Sequence, residues 1–335
     1  MPDNVKTSAP ARIDFGGSTL DLTPLVPLFP KNIVVNLAIS LRAEVVCRRR
    51  AEGIILRDVN GNRVEEYENL KQLQKNGDFV LFAEALAHSR IETGIEIEFS
   101  TGSPFGAGLG GSSTLLIALL QALHIYRFGG EPLEDDELVE EAAVIERGII
   151  KGPTGKQDYI SAVKGGLNAI RFAEDSFHIE SLPFDVAEFS RRLCILFTGK
   201  AHFSGDNNFS VVNKALSGDR QILSILKRLE GNSNLIYSSI KSMDYIALKD
   251  SLVSEMQIRK SLLPSITTPI IDNLSTEAEK MGGALKVCGA GGGGSFFAVF
   301  PGGVPDDFVK AAESLGASRL DCGPDEEGLK TIFLT

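Results

Sequence analysis

The chain has 335 residues, 34 of them basic and 44 acidic, for a net charge of −10. That length exceeds one ordinary hydrophobic core and predicts two domains, 1–182 and 183–335, with the boundary at the polar stretch about Pro183. An acidic chain repels polyanions, no apolar run approaches the roughly 18 residues of a membrane span, and Cys47, Cys194, Cys288 and Cys322 form no C-x-x-C pair. The expectation is a cytoplasmic protein with no nucleic-acid partner, no membrane contact and no disulfide framework.

In chain order, a strand-like piece around Arg12–Phe15 breaks at Gly16-Gly17 and then presents Ser18, Thr19 and Asp21. Small polar groups after a glycine bend suit a polyol, and equally an ordinary strand-to-loop turn. Ile33–Ile39 and Ala43–Arg48 read as strands, and Gly53–Asp58 with Arg63–Tyr67 as a hairpin turned by Asn60-Gly61. The spacing predicts a helix over Asp78–His88, with His88 a surface residue, and Ile95, Ile97 and Phe99 alternate with Glu96 and Glu98 as a half-buried strand.

That strand leads to Pro104-Phe105-Gly106-Ala107-Gly108-Leu109-Gly110-Gly111-Ser112-Ser113-Thr114, which runs into the apolar segment Leu115–Leu123. Backbone without Cβ atoms can take positive φ and turn consecutive N–H groups toward an anion, and a helix N-terminus adds unpaired amides and a positive dipole end. The stretch reads as a phosphate cradle opening a helix; the alternative is a mobile loop with a serine cap. Gly106 to Gly111 satisfies the dinucleotide pattern G-x-G-x-x-G literally, but Ser100–Phe105 separates it from the strand, and no second strand ends in an acid about 20 residues on. The Walker pattern fails too, because Gly155-Lys156 is followed by Gln157 and Gly199-Lys200 by Ala201.

Asp135–Ile149 carries the stripe Leu138, Ala142, Ile145 and Ile149, with Glu146 at its edge. A semi-buried carboxylate there needs a cationic partner; a solvated glutamate is the plain alternative. Gly152-Pro153-Thr154-Gly155 ends that helix, and Asp158 begins a new apolar segment, where a helix N-cap is its ordinary role. Gly165-Gly166 turns into a strand through Ile170. In the second half, Leu193–Phe197 is a strand followed by a polar loop containing His202, and helices occupy much of Val211–Met281, one of them starting at Thr268-Pro269. Lys286–Ser295 is a second glycine loop feeding the strand Phe296–Phe300, before a helix over Asp306–Leu315 and a closing strand Thr331–Leu334. Two glycine loops in different halves predict one cleft between domains.

Three of these segments together resemble the GHMP kinase family. Pro104-x-x-x-Gly108-Leu109-Gly110-Gly111-Ser112-Ser113 is similar to its phosphate-loop motif, Ala9-Pro10-Ala11-Arg12 through Asp21 to its N-terminal substrate motif, and Lys286–Gly294 to its C-terminal glycine motif. Within the family, Arg12–Asp21 and Gly155-Lys156-Gln157-Asp158-Tyr159 look most like bacterial sugar kinases of the heptose-phosphate kinase and fucokinase type.

The resemblance implies an α+β fold of two domains with ATP in the cleft between them. Position by position, it implies that Pro104, Gly106, Gly108, Leu109, Gly110, Gly111, Ser112, Ser113, Gly291 and Gly292 hold ATP, and that Ser112 and Glu146 hold Mg2+. Asp158, with Arg12 beside it, would take the proton of the acceptor hydroxyl, and Ser18, Thr19, Asp21 and His202 would lie on the substrate side. Galactokinases and mevalonate kinases carry Glu-His where this chain has Ser18-Thr19, and heptose-phosphate kinases typically have an arginine at the place of His202; these departures set its acceptor apart. The expectation is an ATP-dependent kinase acting on a sugar, at the anomeric hydroxyl. A GHMP kinase for a non-sugar alcohol and a non-catalytic sugar or nucleotide sensor of the same fold are the alternatives, and a homodimer is an open expectation.

Overall fold

The computed structural model describes residues 4–200, 205–289 and 291–334. The first half is built on two long antiparallel strands, β1 (Asn4–Gly16) and β2 (Val34–Arg49). The two strands expected over Ile33–Ile39 and Ala43–Arg48 are therefore one. β3 (Ile54–Asp58) and β4 (Arg63–Tyr67) form the expected hairpin, its turn closed by the Gly61 amide donating to Asp58 Oδ1 at 3.0 Å. After the short α1 (Leu70–Leu73) and α2 (Val80–His88), β5 (Ile95–Thr101) inserts between β2 and β3.

Three helices, α3 (Gly111–Phe128), α4 (Asp135–Ile150) and α5 (Gln157–Lys164), share one core with the sheet. Leu116, Ile117, Leu119 and Leu120 of α3 are all at most 2% exposed. Each is worth about 1.5–3 kcal/mol of apolar transfer, enough to fix α3 and so the loop before it. β6 (Leu167–Phe172) and β7 (Phe177–Leu182) extend the sheet from the first residues of β2.

One irregularity decides where the site lies. Between Pro10 and Ala11 the register of β1 on β2 shifts, and the faces exchange. Before the shift Val5 and Ala9 pack into the α3 core and Thr7 donates to the Ala118 carbonyl at 2.7 Å; after it Ala11, Ile13 and Phe15 join the second core. Arg12 and Asp14, which would otherwise continue the outward row of Lys6, Ser8 and Pro10, turn toward the helices.

The second half contains α6 (Val186–Arg192), β8 (Leu193–Phe197), α7 (Gly205–Leu216), α8 (Arg220–Lys241), α9 (Tyr245–Leu262), α10 (Pro269–Lys280), β9 (Ala284–Val287), β10 (Ser295–Val299), α11 (Asp306–Ser314) and β11 (Ser318–Arg319). Its sheet runs β11-β8-β10-β9, antiparallel throughout. α10 starts as expected, with the Thr268 side chain accepting from the Ile271 amide and Pro269 in the first turn. The last strand, β12 (Lys330–Leu334), returns from the second half to pair with β1. Arg42 clamps that return: it donates to Ser8 Oγ at 2.8 Å, to Asp325 Oδ2 at 2.6 Å and to the Gly328 carbonyl at 2.6 Å. The class is α+β, as expected. Among the described residues no helix is long and apolar enough to cross a membrane.

Candidate active site

The loop before α3 takes positive φ at Gly106, Gly108 and Gly110. Gly110 is the N-cap residue of α3, and no side chain caps the helix, so its first amides stay available to an anion. A Cβ on Gly108 would lie 2.7 Å from the Cys288 carbonyl oxygen, and one on Gly294 would lie 2.9 Å from that of Ala107. The Ser295 amide donates to the Ala107 carbonyl at 2.7 Å. The two glycine loops are thus packed backbone on backbone, as the shared-cleft expectation requires, and glycine is needed at these points because a side chain would push the loops apart.

Arg12 reaches across to α5. Its Nε donates to Asp158 Oδ1 at 2.7 Å, its Nη2 to Asp158 Oδ2 at 2.8 Å, and its Nη1 to the Gly108 carbonyl at 2.7 Å. The bidentate fork fixes the carboxylate plane. α5 begins at Gln157 with Lys156 as its N-cap residue, so Asp158 lies inside the first turn and is not the cap. A Cβ on Gly110 would stand 3.2 Å from Asp158 Oδ2, which puts the carboxylate beside the glycine loop at the start of α3.

Glu146, half-buried on α4, accepts from Ser113 Oγ at 3.3 Å and from the Tyr159 hydroxyl. Ser112, the residue paired with it by resemblance, is exposed in the first turn of α3, and Ser113 is the one in contact. Burial pushes the Glu146 carboxyl up to about 7, and the Asp158 charge adds to this against the two hydrogen bonds. The carboxylate and the two hydroxyls beside it offer oxygen to a hard cation, while the open amides of α3 suit the phosphate that would accompany it. Among the described residues no group of three or more His, Cys, Asp or Glu side chains is placed to hold a metal. Mg2+ bound with nucleotide asks less, one or two protein oxygens with phosphates and waters completing the shell.

Asp21 is 5% exposed and sits against Gly155, where a Cβ would collide with its carboxylate. Burial first, then the charges of Asp158 and Asp14, push its carboxyl up to about 7, against its own backbone amide and Arg12. Thr19 has φ +83, a conformation that a β-branched residue rarely takes. The Ser18 hydroxyl is already committed: it donates to Asp14 Oδ1 at 2.7 Å and accepts from Arg259. His202 lies outside the described residues.

A glycine loop opening a helix, with an arginine-held aspartate beside it, fits phosphoryl transfer to a hydroxyl, and the comparisons agree. The GHMP kinases N terminal domain matches residues 78–166 and the GHMP kinases C terminal domain residues 238–318. The chain belongs to the GHMP kinase family. It is an ATP-dependent small-molecule kinase.

This GHMP kinase is 26% identical over 315 residues to a bifunctional fucokinase/GDP-fucose pyrophosphorylase of Arabidopsis thaliana, an alignment covering 88% of this chain and 30% of that protein. It is 25% identical to a mevalonate kinase of Archaeoglobus fulgidus, over 86% of this chain and 92% of the other, and 24% identical to a D-glycero-alpha-D-manno-heptose 7-phosphate kinase of Campylobacter jejuni, over 98% of each. A crystal structure of a D-glycero-D-manno-heptose 1-phosphate kinase from Bacteroides thetaiotaomicron superposes with a TM-score of 0.79 at 21% identity, covering 99% of both chains, and shows the shared fold.

Sequence reasoning missed four charges of the kinase. Asp14, Glu255, Arg259 and Lys286 are buried together behind the loop from Gly16 to Asp21. The signal was there for two of them: Asp14 interrupts Ile13 and Phe15, and Lys286 interrupts Leu285 and Val287, each a charge inside an apolar strand.

Proposed function

We propose that this kinase phosphorylates a hydroxyl of a monosaccharide, the anomeric one by expectation, with Mg-ATP as donor. The observation that supports it best is the Arg12–Asp158 fork beside the glycine loop, with Asp21 buried on the same side and no side chain among the described residues hydrogen-bonded to the Asp21 carboxylate. A sugar hydroxyl is a donor that both aspartates are able to accept. Asp158, its plane fixed by Arg12, orients the attacking oxygen and receives its proton late, as a loose transition state requires. The amides opening α3 and the glycine loops face the phosphate and offset charge there. Ser112, Ser113 and Glu146 are the residues that would hold Mg2+, whose chemistry is to neutralise phosphate charge.

Mevalonate kinase similarity favours a second reading, a non-sugar alcohol acceptor. The sensor reading is the weaker alternative, because the Arg12–Asp158 geometry is intact. A nucleotide-consumption assay separates the three over a panel of free hexoses, fucose, heptose 7-phosphate, mevalonate and homoserine. Turnover with a sugar is the expected result. Turnover with mevalonate or homoserine and no sugar would overturn the acceptor assignment, and calorimetric binding with no product would point to a sensor.

A further inference from the structure

A neutral group of four buried charges joins the two halves behind the loop from Gly16 to Asp21. Lys286 on β9 donates to Asp14 Oδ1 at 2.7 Å and to the Asp14 carbonyl at 2.8 Å. Arg259 on α9 donates to the Ser18 carbonyl at 3.0 Å, to the Ser18 hydroxyl, and through Nε to Glu255 Oε1 at 2.9 Å. Asn232 of α8 completes the set, donating to Glu255 Oε2 at 2.8 Å. Lys286, Asp14 and Glu255 are 0% exposed and Arg259 is 3% exposed.

Stability is a poor reason for such a cluster. Well-packed apolar residues often replace buried ion pairs at no loss, whereas removing one partner alone is costly. Its position is more telling. Asp14 and Ser18 flank the Gly16-Gly17 turn, and the next residues are Thr19, in its strained conformation, and Asp21. A strained backbone persists only where its surroundings over-determine it. The same cluster borders Asp158 through β2: Asn36, opposite Asp14 in register, donates to the carbonyl of Gln157 at 3.1 Å.

We infer that Asp14, Lys286, Arg259 and Glu255 are positioning residues that clamp the Ser18–Asp21 loop from the second half of the chain, so that the acceptor side of the site depends on them while the phosphate loop does not. The link to catalysis rests on the proposed role of Asp21; the clamp itself does not.

Hydrogen exchange of the sugar-free protein tests the clamp, in wild type, Ser18→Ala and Asp14→Asn/Lys286→Met. The double variant removes an opposite pair and leaves no lone buried charge; Ser18→Ala keeps all four charges and removes only the hydroxyl between them. In both variants the amides of residues 17–23 should exchange about tenfold faster or more, with residues 104–113 and Mg-ATP affinity within about threefold of wild type. With any panel sugar that supports turnover, KM for that sugar should rise about tenfold while KM for ATP holds. Unchanged exchange in 17–23 overturns the inference, and so does equal acceleration in both loops, which marks general support of the fold. Should the double variant not fold, Ser18→Ala decides alone. Should no sugar turn over, the proposed acceptor fails while the exchange result still judges the clamp.

Discussion

Asp158 and Asp21 differ in what holds them, and this gives each its own test. Two Arg12 nitrogens grip Asp158, so Asp158→Asn, at constant volume, keeps one acceptor for the guanidinium and replaces the other with an NH2 that cannot accept from it. The variant should fold and bind Mg-ATP but lose on the order of 10²–10⁴ in kcat with the accepted sugar at saturation. Near wild-type turnover would leave Asp158 a purely structural partner of Arg12. Asp158→Ala strands the buried guanidinium and should cost about 2–3 kcal/mol in chemical denaturation, less than a fully buried pair because the Asp158 side chain keeps 23% exposure. Asp21 has no such partner among the described residues, and its carboxyl, pushed up to about 7, makes the native state hold a proton that the unfolded chain releases near 4. The stabilising contribution is therefore full below about 4 and is lost as pH rises through about 7. Thermal melts of ligand-free protein should show a decline across that window, to which Glu146, also pushed up to about 7, contributes, and Asp21→Asn should make it shallower; an unchanged slope would refute the assignment.

At the scale of elements, the phosphate loop is held by glycine on both sides. Gly108 combines φ +76 with the close approach of the Cys288 carbonyl, so Gly108→Ala adds left-handed strain and a collision at once. A loss of about 1–3 kcal/mol in stability is expected, with weaker Mg-ATP binding by calorimetry. The exposed Gly130, where a Cβ meets nothing within 4 Å, serves as control: Gly130→Ala should leave both quantities unchanged. The helices behind these loops were legible because α3, α4 and α10 carry apolar stripes and recognisable ends. β7 and β9 were not, since β7 mixes exposed polar residues into its pattern and β9 is only the four residues Ala284–Val287.

Across the whole molecule, the C-terminal strand closes the first sheet, and Arg42 is the bolt. Five of its hydrogen bonds run to Ser8, Asp325, Glu327 and Gly328, and its ion pair with Asp325 is largely buried. Arg42→Met should cost about 2–4 kcal/mol and open the segment 320–334 to limited proteolysis before the rest of the chain unfolds. Cleavage appearing first elsewhere would show that the return segment is held without Arg42, by its pairing with β1 and its backbone bonds to Ala38, Ser40 and Gly166.

Local chemistry by itself pointed to an anion cradle ahead of α3, because consecutive glycines and a helix start need only neighbouring residues to act. Arg12 and Asp158 became candidates only through the family resemblance, and Asp21 also through the polar groups that follow the Gly16-Gly17 bend. Tertiary structure decided what each of them touches. The register shift at Pro10 turns Arg12 onto Asp158 across 146 positions of sequence, and no local spacing encodes an ion pair of that separation. It decided that Ser113 rather than Ser112 meets Glu146, which depends on how far α3 is rotated over α4. The buried charges of Asp14, Lys286, Arg259 and Glu255 were out of reach for a sharper reason: each alone is costly to bury, and only the packing of both halves supplies the partners that make burial tolerable.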